Sequence, residues 1–254
     1  MKIILFIVMF VSHVNADRMG EHDLKIYMET CNEGNAHGCM TVFFMYKNGT
    51  HIKKNYNEGL KYYNKALKLR NGRCSNSDAS ECVNLGKMYK YKDAPNVDYE
   101  LSKSYFEKAK MIFRKGCNDG DSKSCNNLGR MYSSEYNSHD GSTDNFKAVK
   151  LYKISCDRNN ASGCFSLAYM YDKGNGVRQN NKTAIRLYNK YAKIKSKSCI
   201  GGDYEDCISL GRTFERGQSV KKDLIKAKEY FGIACDNGVE SGCVNYARLN
   251  SVKK

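Results

Sequence analysis

The chain has 254 residues, with 42 lysines and arginines against 27 aspartates and glutamates, so its formal net charge is +15. This balance favours anionic ligands, surfaces or partners. Nucleic acid is disfavoured as a partner, because the lysines are spread along the chain and form no single basic stripe. Beyond the N-terminus no segment is long and apolar enough to span a membrane, so we expect no membrane insertion.

The first sixteen residues are organised like a secretory signal peptide. Lys2 is followed by nine apolar residues, Ile3 to Val11, and Val14 and Ala16 place small residues at positions −3 and −1 of a cleavage site. An uncleaved anchor is disfavoured, because nine apolar residues are too few to cross ~30 Å of hydrocarbon. We expect cleavage after Ala16 and a secreted or periplasmic mature chain.

Twelve cysteines occur in six pairs that all have the same spacing of eight residues. Disulfides persist in an exported protein, and the repeat symmetry joins each cysteine to the partner eight positions on. Zinc ligation is the alternative, disfavoured because zinc ligand pairs usually lie closer in sequence. Each bridge would close a short loop and stabilise the fold by about 2–3 kcal/mol. The predicted disulfide pairs are Cys31/Cys39, Cys74/Cys82, Cys117/Cys125, Cys156/Cys164, Cys199/Cys207 and Cys235/Cys243.

The cysteine pairs mark an internal repeat. Successive first cysteines lie 43, 43, 39, 43 and 36 residues apart, and such periods are typical of helical repeat arrays. Between the cysteine pairs, two stretches of helical periodicity flank a loop rich in glycine and asparagine. We therefore expect helix–turn–helix units over about residues 32–74, 75–117, 118–156, 157–199 and 200–235, with half-units at both ends.

The first helix of each unit follows the second cysteine, with apolar residues three, six and seven positions later, such as Leu128, Met131 and Tyr132. This spacing predicts one buried stripe. The position after the leucine is glycine or alanine in five of the six copies, including Gly129 and Gly211. Glycine inside a helix costs ~1 kcal/mol relative to alanine. Its recurrence predicts the close approach of a neighbouring helix backbone.

The second helix of each unit carries a small residue followed four positions later by an aromatic one, as in Ala148 and Tyr152. Residues four apart share a helix face, so this pattern predicts packing and no chemical site. A further aromatic precedes the last one in several units. Two of these residues, Tyr62 and Tyr105, are candidates to line a binding groove, because tyrosine is favoured at recognition surfaces.

The L-G-x-M-Y pattern of the first helix, D-K-G-N-G-V at residues 172–177 and K-A-K-E-Y-F at residues 226–231 resemble the Sel-like subclass of tetratricopeptide repeats. With a C-x7-C pair in every unit behind a signal peptide, the chain is similar to the cysteine-rich secreted (Hcp) proteins of Helicobacter and Campylobacter. The resemblance covers essentially the whole mature chain. It implies an all-α fold, an α/α superhelical solenoid of Sel-like repeats with each helix pair linked to the next by a disulfide. It also implies penicillin binding and weak β-lactamase activity.

The motifs of that activity are weakly represented in the residues themselves. A serine β-lactamase uses S-x-x-K, S-D-N and K-T-G elements. Ser219 and Ser251 each precede a lysine by three positions, as chance allows in a lysine-rich chain, and Lys182-Thr183-Ala184 only approaches K-T-G, whereas S-D-N is absent. We nominate no catalytic residue. The mature chain's histidines, too scattered to predict a metal site, are His22, His37, His51 and His139.

The sequence leaves two functions open. The resemblance implies a protein that binds a β-lactam or a peptidoglycan-derived ligand and slowly hydrolyses the β-lactam ring. The alternative is a non-catalytic scaffold whose concave face holds a protein, a peptide or a peptidoglycan fragment, as repeat arrays commonly do. For either function we expect a monomer that needs no cofactor.

Overall fold

The computed structural model describes residues 22–50, 52–91, 94–133, 143–217 and 220–251. The predicted signal peptide, residues 1–16, lies outside this range. Across the described residues the chain forms twelve α-helices and no strand. None of these helices combines the length and the apolar character needed to cross a membrane.

The chain divides into two compact units, Met1–Ile112 and Phe113–Lys254. In the first unit α2 packs on α3 and α3 on α4. Its core surrounds Phe43, Tyr63 and Ala66, which are almost fully buried. The helices that begin in this unit are α1 (residues 22–32), α2 (Ala36–Asn48), α3 (Tyr56–Ser75), α4 (Ala79–Lys90) and α5 (Tyr99–Asn118), and the division falls inside α5.

In the second unit every helix from α6 to α12 packs on the next one along the chain, and α6 also contacts α8. Packing between sequence neighbours is typical of repeat architectures. The predicted class, an all-α solenoid of Sel-like repeats, is confirmed. The helices of this unit are α6 (Ser122–Ser133), α7 (Asn145–Asp157), α8 (Ala161–Lys173), α9 (Asn181–Ile200), α10 (Tyr204–Arg216), α11 (Leu224–Asp236) and α12 (Glu240–Ser251).

Asparagine or aspartate caps the start of each helix from α2 to α11. The side chain of Asn180, for example, accepts a hydrogen bond from the backbone N–H of Thr183. Such a cap stabilises a helix by ~1 kcal/mol. In the even-numbered helices the cap lies four residues before the second cysteine, which fixes that cysteine in the first turn. The caps are Asn35, Asn55, Asp78, Asp98, Asp121, Asp144, Asn160, Asn180, Asp203 and Asp223.

Six disulfides join the end of each odd-numbered helix to the start of the following even-numbered helix. The paired Cα atoms lie 4.4 Å apart at the closest bridge and 4.9 Å apart at the widest. The predicted link from each helix pair to the next is therefore confirmed, and no cysteine remains free for zinc. The bridges are Cys31–Cys39, Cys74–Cys82, Cys117–Cys125, Cys156–Cys164, Cys199–Cys207 and Cys235–Cys243.

The recurring glycine of the first helix lies against an aromatic ring. A Cβ added to Gly211 would be 2.5 Å from Cε1 of Phe231, and one added to Gly129 would be 2.7 Å from Cε1 of Tyr152. The close approach predicted from the sequence is confirmed. The predicted partner was wrong, because the atoms nearest to these glycines belong to rings of the second helix and not to its backbone.

Candidate functional site

The second unit contains a cavity of about 1250 Å³ lined by α8, α9 and α10 together with the start of the loop after α10. Three almost fully buried side chains form its floor: Ile208 from α10 and Tyr188 and Tyr191 from α9. A cavity of this size with an apolar floor is large enough to accept a peptide-sized ligand.

Aromatic contacts hold the floor in place. The ring of Phe165, on α8, meets Tyr188 and Tyr191 edge to face, with centroid distances of 5.5 and 5.2 Å. The hydroxyls of Tyr191 and Ser209 share a hydrogen bond of 3.2 Å across α9 and α10. Aromatic pairs of this kind add about 0.5–1.5 kcal/mol to stability beyond the burial of their surface. The floor is therefore formed before any ligand arrives.

The rim of the cavity is apolar and open to solvent. Phe165, Tyr169 and Ile185 line it with 37%, 47% and 58% of their surfaces exposed. Phe165 and Tyr169 are four residues apart on α8 and therefore share one face of that helix. Single exposed apolar residues are ordinary, but three that converge on one concavity mark an interaction site.

Cations dominate the α10 side of the cavity. Arg212 and Arg216, one helical turn apart, line it together with Lys221. Both arginines also line a neighbouring cavity of about 470 Å³ between α10 and α12, where Lys222 and Arg248 join them. The two cavities therefore share a basic wall.

The turn after α10 places Lys221 and Lys222 beside that wall. Gly217 ends α10 in the left-handed region, with φ at 63°, and its N–H donates to the carbonyl of Thr213. A Cβ at Gly217 would lie 2.7 Å from Cβ of Lys222. The backbone N–H of Asp223 donates to the carbonyl of Phe214 at 2.9 Å, which closes the turn. Glycine is needed at this position both for its conformation and for space.

One carboxylate, Glu215, lies within the basic wall. Arg248 holds it with two contacts, Nη1 to Oε1 at 2.7 Å and Nη2 to Oε2 at 2.9 Å. The hydrogen bond from Arg248 lowers the pKa of Glu215, and the charges of Arg248, Arg216 and Lys222 lower it further against the opposing effect of burial. Glu215 is thus ionised and committed to Arg248 at neutral pH.

The structure describes only part of the sequence candidates for serine chemistry. Ser219 lies outside the described residues, as does Lys254, the lysine that follows Ser251. Ser251 ends α12, and its hydroxyl donates to the carbonyl of Arg248 at 2.9 Å. Lys182 and Thr183 begin α9 and so do not form the strand that a K-T-G element occupies.

Metal-binding residues do not converge in the part of the chain that the structure describes. No group of three or more His, Cys, Asp or Glu side chains there could hold an ion. His22 and His37 lie on different helices, α1 and α2, and His51 and His139 fall outside the described residues.

The two groove candidates from the first unit have packing partners. Tyr62 stacks on Tyr46, and Tyr105 stacks on Tyr89 with centroids 5.8 Å apart. In α11 the tyrosine at the equivalent second-helix position is Tyr230. It stacks on Phe214 of α10 and donates a hydrogen bond to the hydroxyl of Ser196 on α9. Tyr230 does not line the cavity. This second-helix position therefore serves repeat packing.

The cavity-lining residues on the first helices were missed by the sequence reasoning. Phe165 and Ile208 lie one position after the second cysteine of their units, and Tyr169 and Arg212 lie five positions after it. These positions flank the buried stripe. The first is apolar in five of the six copies, and the second carries Lys or Arg in four copies and an aromatic ring in the other two. Aromatic rings and a recurring cation beside the buried stripe are the signals that could have identified them.

The fold and the cavity define a helical repeat protein with a preformed concave site. The chain belongs to the Sel1 repeat family, because the Sel1 repeat profile matches residues 37–71, 82–111, 122–160, 161–193 and 205–239, more than half of the chain.

Two curated relatives show partial similarity. The cytochrome c oxidase assembly factor 7 of Homo sapiens is 31% identical over 116 residues, which are 43% of this chain and 48% of that protein. The exopolysaccharide production negative regulator of Rhizobium meliloti (strain 1021) is 29% identical over 110 residues, 41% of each chain. This chain thus spans less than half the length of either relative.

Solved structures include two that resemble the chain at low identity. A Sel1 repeat protein from Oxalobacter formigenes aligns with a TM-score of 0.39 and 18% identity, covering 87% of this chain and 84% of that one. The cysteine rich protein B of Helicobacter pylori aligns with a TM-score of 0.36 and 23% identity, covering 56% of this chain and 95% of that one.

Proposed function

We propose that this protein is a non-catalytic scaffold that binds a segment of another protein in the cavity between α8, α9 and α10. The observation that carries the proposal is the exposed apolar rim of Phe165, Tyr169 and Ile185 above a buried aromatic floor. Water in contact with this rim would be released on binding, which is the main driving force for association. Because the floor is already ordered, little conformational entropy would be lost there.

The chemistry of the cavity also supports binding over hydrolysis. Acyl transfer by a serine needs a base within hydrogen-bond reach of the hydroxyl. Ser209 lines the cavity, but its hydroxyl pairs with the phenol of Tyr191. A phenol is a far weaker base than the imidazole that commonly activates a serine. β-Lactam hydrolysis, implied by the resemblance to the Hcp proteins, remains the competing function.

The relatives are compatible with a scaffold. One is named an assembly factor and the other a negative regulator, and neither name is that of a hydrolase. The six disulfides indicate an oxidising, non-cytoplasmic compartment. Together with the signal-like N-terminus, they support secretion or residence in the periplasm as part of the proposal.

The proposal is tested by selecting a phage-displayed random decapeptide library against the full, oxidised chain. Selected peptides should bind the wild type and lose about tenfold in affinity with Tyr169→Ala or Ile185→Ser, since each removes roughly 1–2 kcal/mol of apolar contact. Ile200→Ser is the matched control, because Ile200 is 75% exposed on α9 and lies outside the cavity. Failure to select any peptide, or equal loss with the control, would refute the proposal.

The competing function is tested with a chromogenic cephalosporin. We expect the purified, oxidised protein to show no hydrolysis above that of a mock preparation. Turnover that disappears in Ser219→Ala would replace the scaffold with a serine hydrolase. Turnover that disappears only after reduction by dithiothreitol would place an enzyme activity in the disulfide-linked fold.

A further inference from the structure

We infer that the segment bound in this cavity is acidic and extended, with two carboxylates at alternate positions that pair with Arg212 and Arg216. This inference rests on the proposed function and specifies its partner. It depends on the charges of the α10 wall, whereas the proposed function depends on the apolar rim. The two can therefore be tested separately.

The basic wall contains more cations than its one carboxylate can neutralise. Glu215 is already held by both Nη atoms of Arg248. Among the described residues, no other carboxylate forms an ion pair with Arg212 or Arg216, or with the two lysines that follow them in the turn. The wall therefore carries more cations than carboxylates, and it lines the same cavity as the apolar rim.

The negative charges near the cavity do not cancel this cluster. Asp172 is paired with its neighbour Lys173 at 2.9 Å. Glu205 lines the cavity from the first turn of α10, about 10 Å along the helix axis from Arg212 at 1.5 Å per residue. The cavity is thus polarised, with its positive end at Arg212 and Arg216.

The spacing of the two arginines fits an extended ligand. Four helical residues place their Cα atoms about 6 Å apart along α10. In an extended chain, side chains on the same side recur every second residue, about 6.6 Å apart. Carboxylates at positions i and i+2 therefore match the two guanidinium groups, which favour bidentate carboxylate pairing. An apolar residue of the same segment would lie on Tyr169 and Ile185.

The overall charge argues for a foreign acidic partner. A second copy of this chain would also carry a formal charge of +15 and would be repelled. An acidic partner would be attracted over a distance of about 8 Å at physiological salt. The segment is thus assigned to another protein.

The experiment sequences the peptides selected by the full chain and measures one of them by fluorescence polarisation at low and high salt. The expected result is enrichment of Asp or Glu at i and i+2, with affinity lost about tenfold in the Arg212→Gln/Arg216→Gln variant. The same loss should follow from changing the two peptide carboxylates to amides. The matched control is Arg186→Gln/Lys193→Gln, which removes two exposed charges of α9 outside the cavity.

The outcomes separate the two ideas. If peptides bind through Tyr169 and Ile185 but lack acidic enrichment, or bind the Arg212/Arg216 variant unchanged, the inference is overturned and the scaffold stands. If no peptide is selected, the scaffold is overturned and the inference with it. If a heparin dodecasaccharide binds through the arginines while selected peptides are neutral, the wall serves a polyanionic glycan and the acidic-peptide assignment is wrong.

Discussion

Gly211→Ala tests the packing of α10 against α11. The new Cβ would lie 2.5–2.8 Å from ring atoms of Phe231, which is completely buried. Overpacking of this kind costs about 1–3 kcal/mol, and alanine returns ~1 kcal/mol of helix propensity. The net expectation is a loss of up to about 2 kcal/mol in the free energy of unfolding. The chain carries alanine at the equivalent position, Ala168, where the ring is that of Tyr188, so a ring can adjust at a finite cost.

The matched control is Gly232→Ala in α11, a helix of the same unit. There the new Cβ would lie 3.4 Å from the ring of Tyr246, an ordinary contact. This variant should gain about 0.5–1 kcal/mol from helix propensity. Urea unfolding of the oxidised proteins, followed by circular dichroism, measures both changes. A Gly211→Ala variant stabilised as much as Gly232→Ala would refute the packing argument.

Three further changes test a disulfide, the largely buried ion pair of Arg70 with Glu81, and the buried phenol of Tyr63. Cys199→Ala/Cys207→Ala should cost about 2–3 kcal/mol by freeing a short loop, seen as a lower urea midpoint; an unchanged midpoint would contradict this. Burial alone would raise the pKa of Glu81, but hydrogen bonds and the charge of Arg70 outweigh it and lower the pKa. The ionised Glu81 carboxylate therefore stabilises the fold above pH 4.5, and this contribution is lost as the pH falls through the lowered pKa. Glu81→Gln should cost about 1–3 kcal/mol at pH 7 and flatten that acid dependence in pH-dependent unfolding; an unflattened profile would argue against the pair. Burial raises the pKa of Tyr63 to about 12, so the neutral phenol stabilises the fold below pH 10 and this contribution is lost as the pH rises from 10 to about 12. Burial also raises the pKa of Tyr152, so ultraviolet titration should show late-titrating tyrosines whose number Tyr63→Phe lowers by one; a titration unchanged by that variant would exclude the assignment.

The fold could be predicted because its signals are local and repeated. Six identical cysteine spacings and an apolar stripe at fixed offsets, such as Leu128 and Met131, determine where each helix lies and which face it buries. The identity of the group against each glycine was harder to predict. Gly129 contacts Tyr152 across 23 residues of sequence, and periodicity along one helix carries no information on which atom of its neighbour approaches.

The cavity could not be found by the same method. A search for the recurring apolar stripe leaves out the positions beside it, and Phe165, Tyr169 and Arg212 occupy those positions. Aromatic content directed attention to Tyr62 and Tyr105 on the second helices. Rings at that position are used to stack one helix on another, as Tyr62 does on Tyr46, so composition alone did not separate packing tyrosines from exposed ones.

The position of the disulfides determines where such a chain can be cut without leaving an unpaired cysteine. A gene segment that encodes one helix–turn–helix unit, such as residues 157–199, carries Cys164 and Cys199 and leaves both without their partners. A segment cut in the loops before α9 and after α10 carries Cys199 and Cys207 as a complete bridge. The segment that holds only complete bridges is therefore displaced by one helix from the packing repeat. Truncations that end in the loop within a helix–turn–helix unit should oxidise cleanly, whereas those that end within a cysteine turn should carry an unpaired thiol.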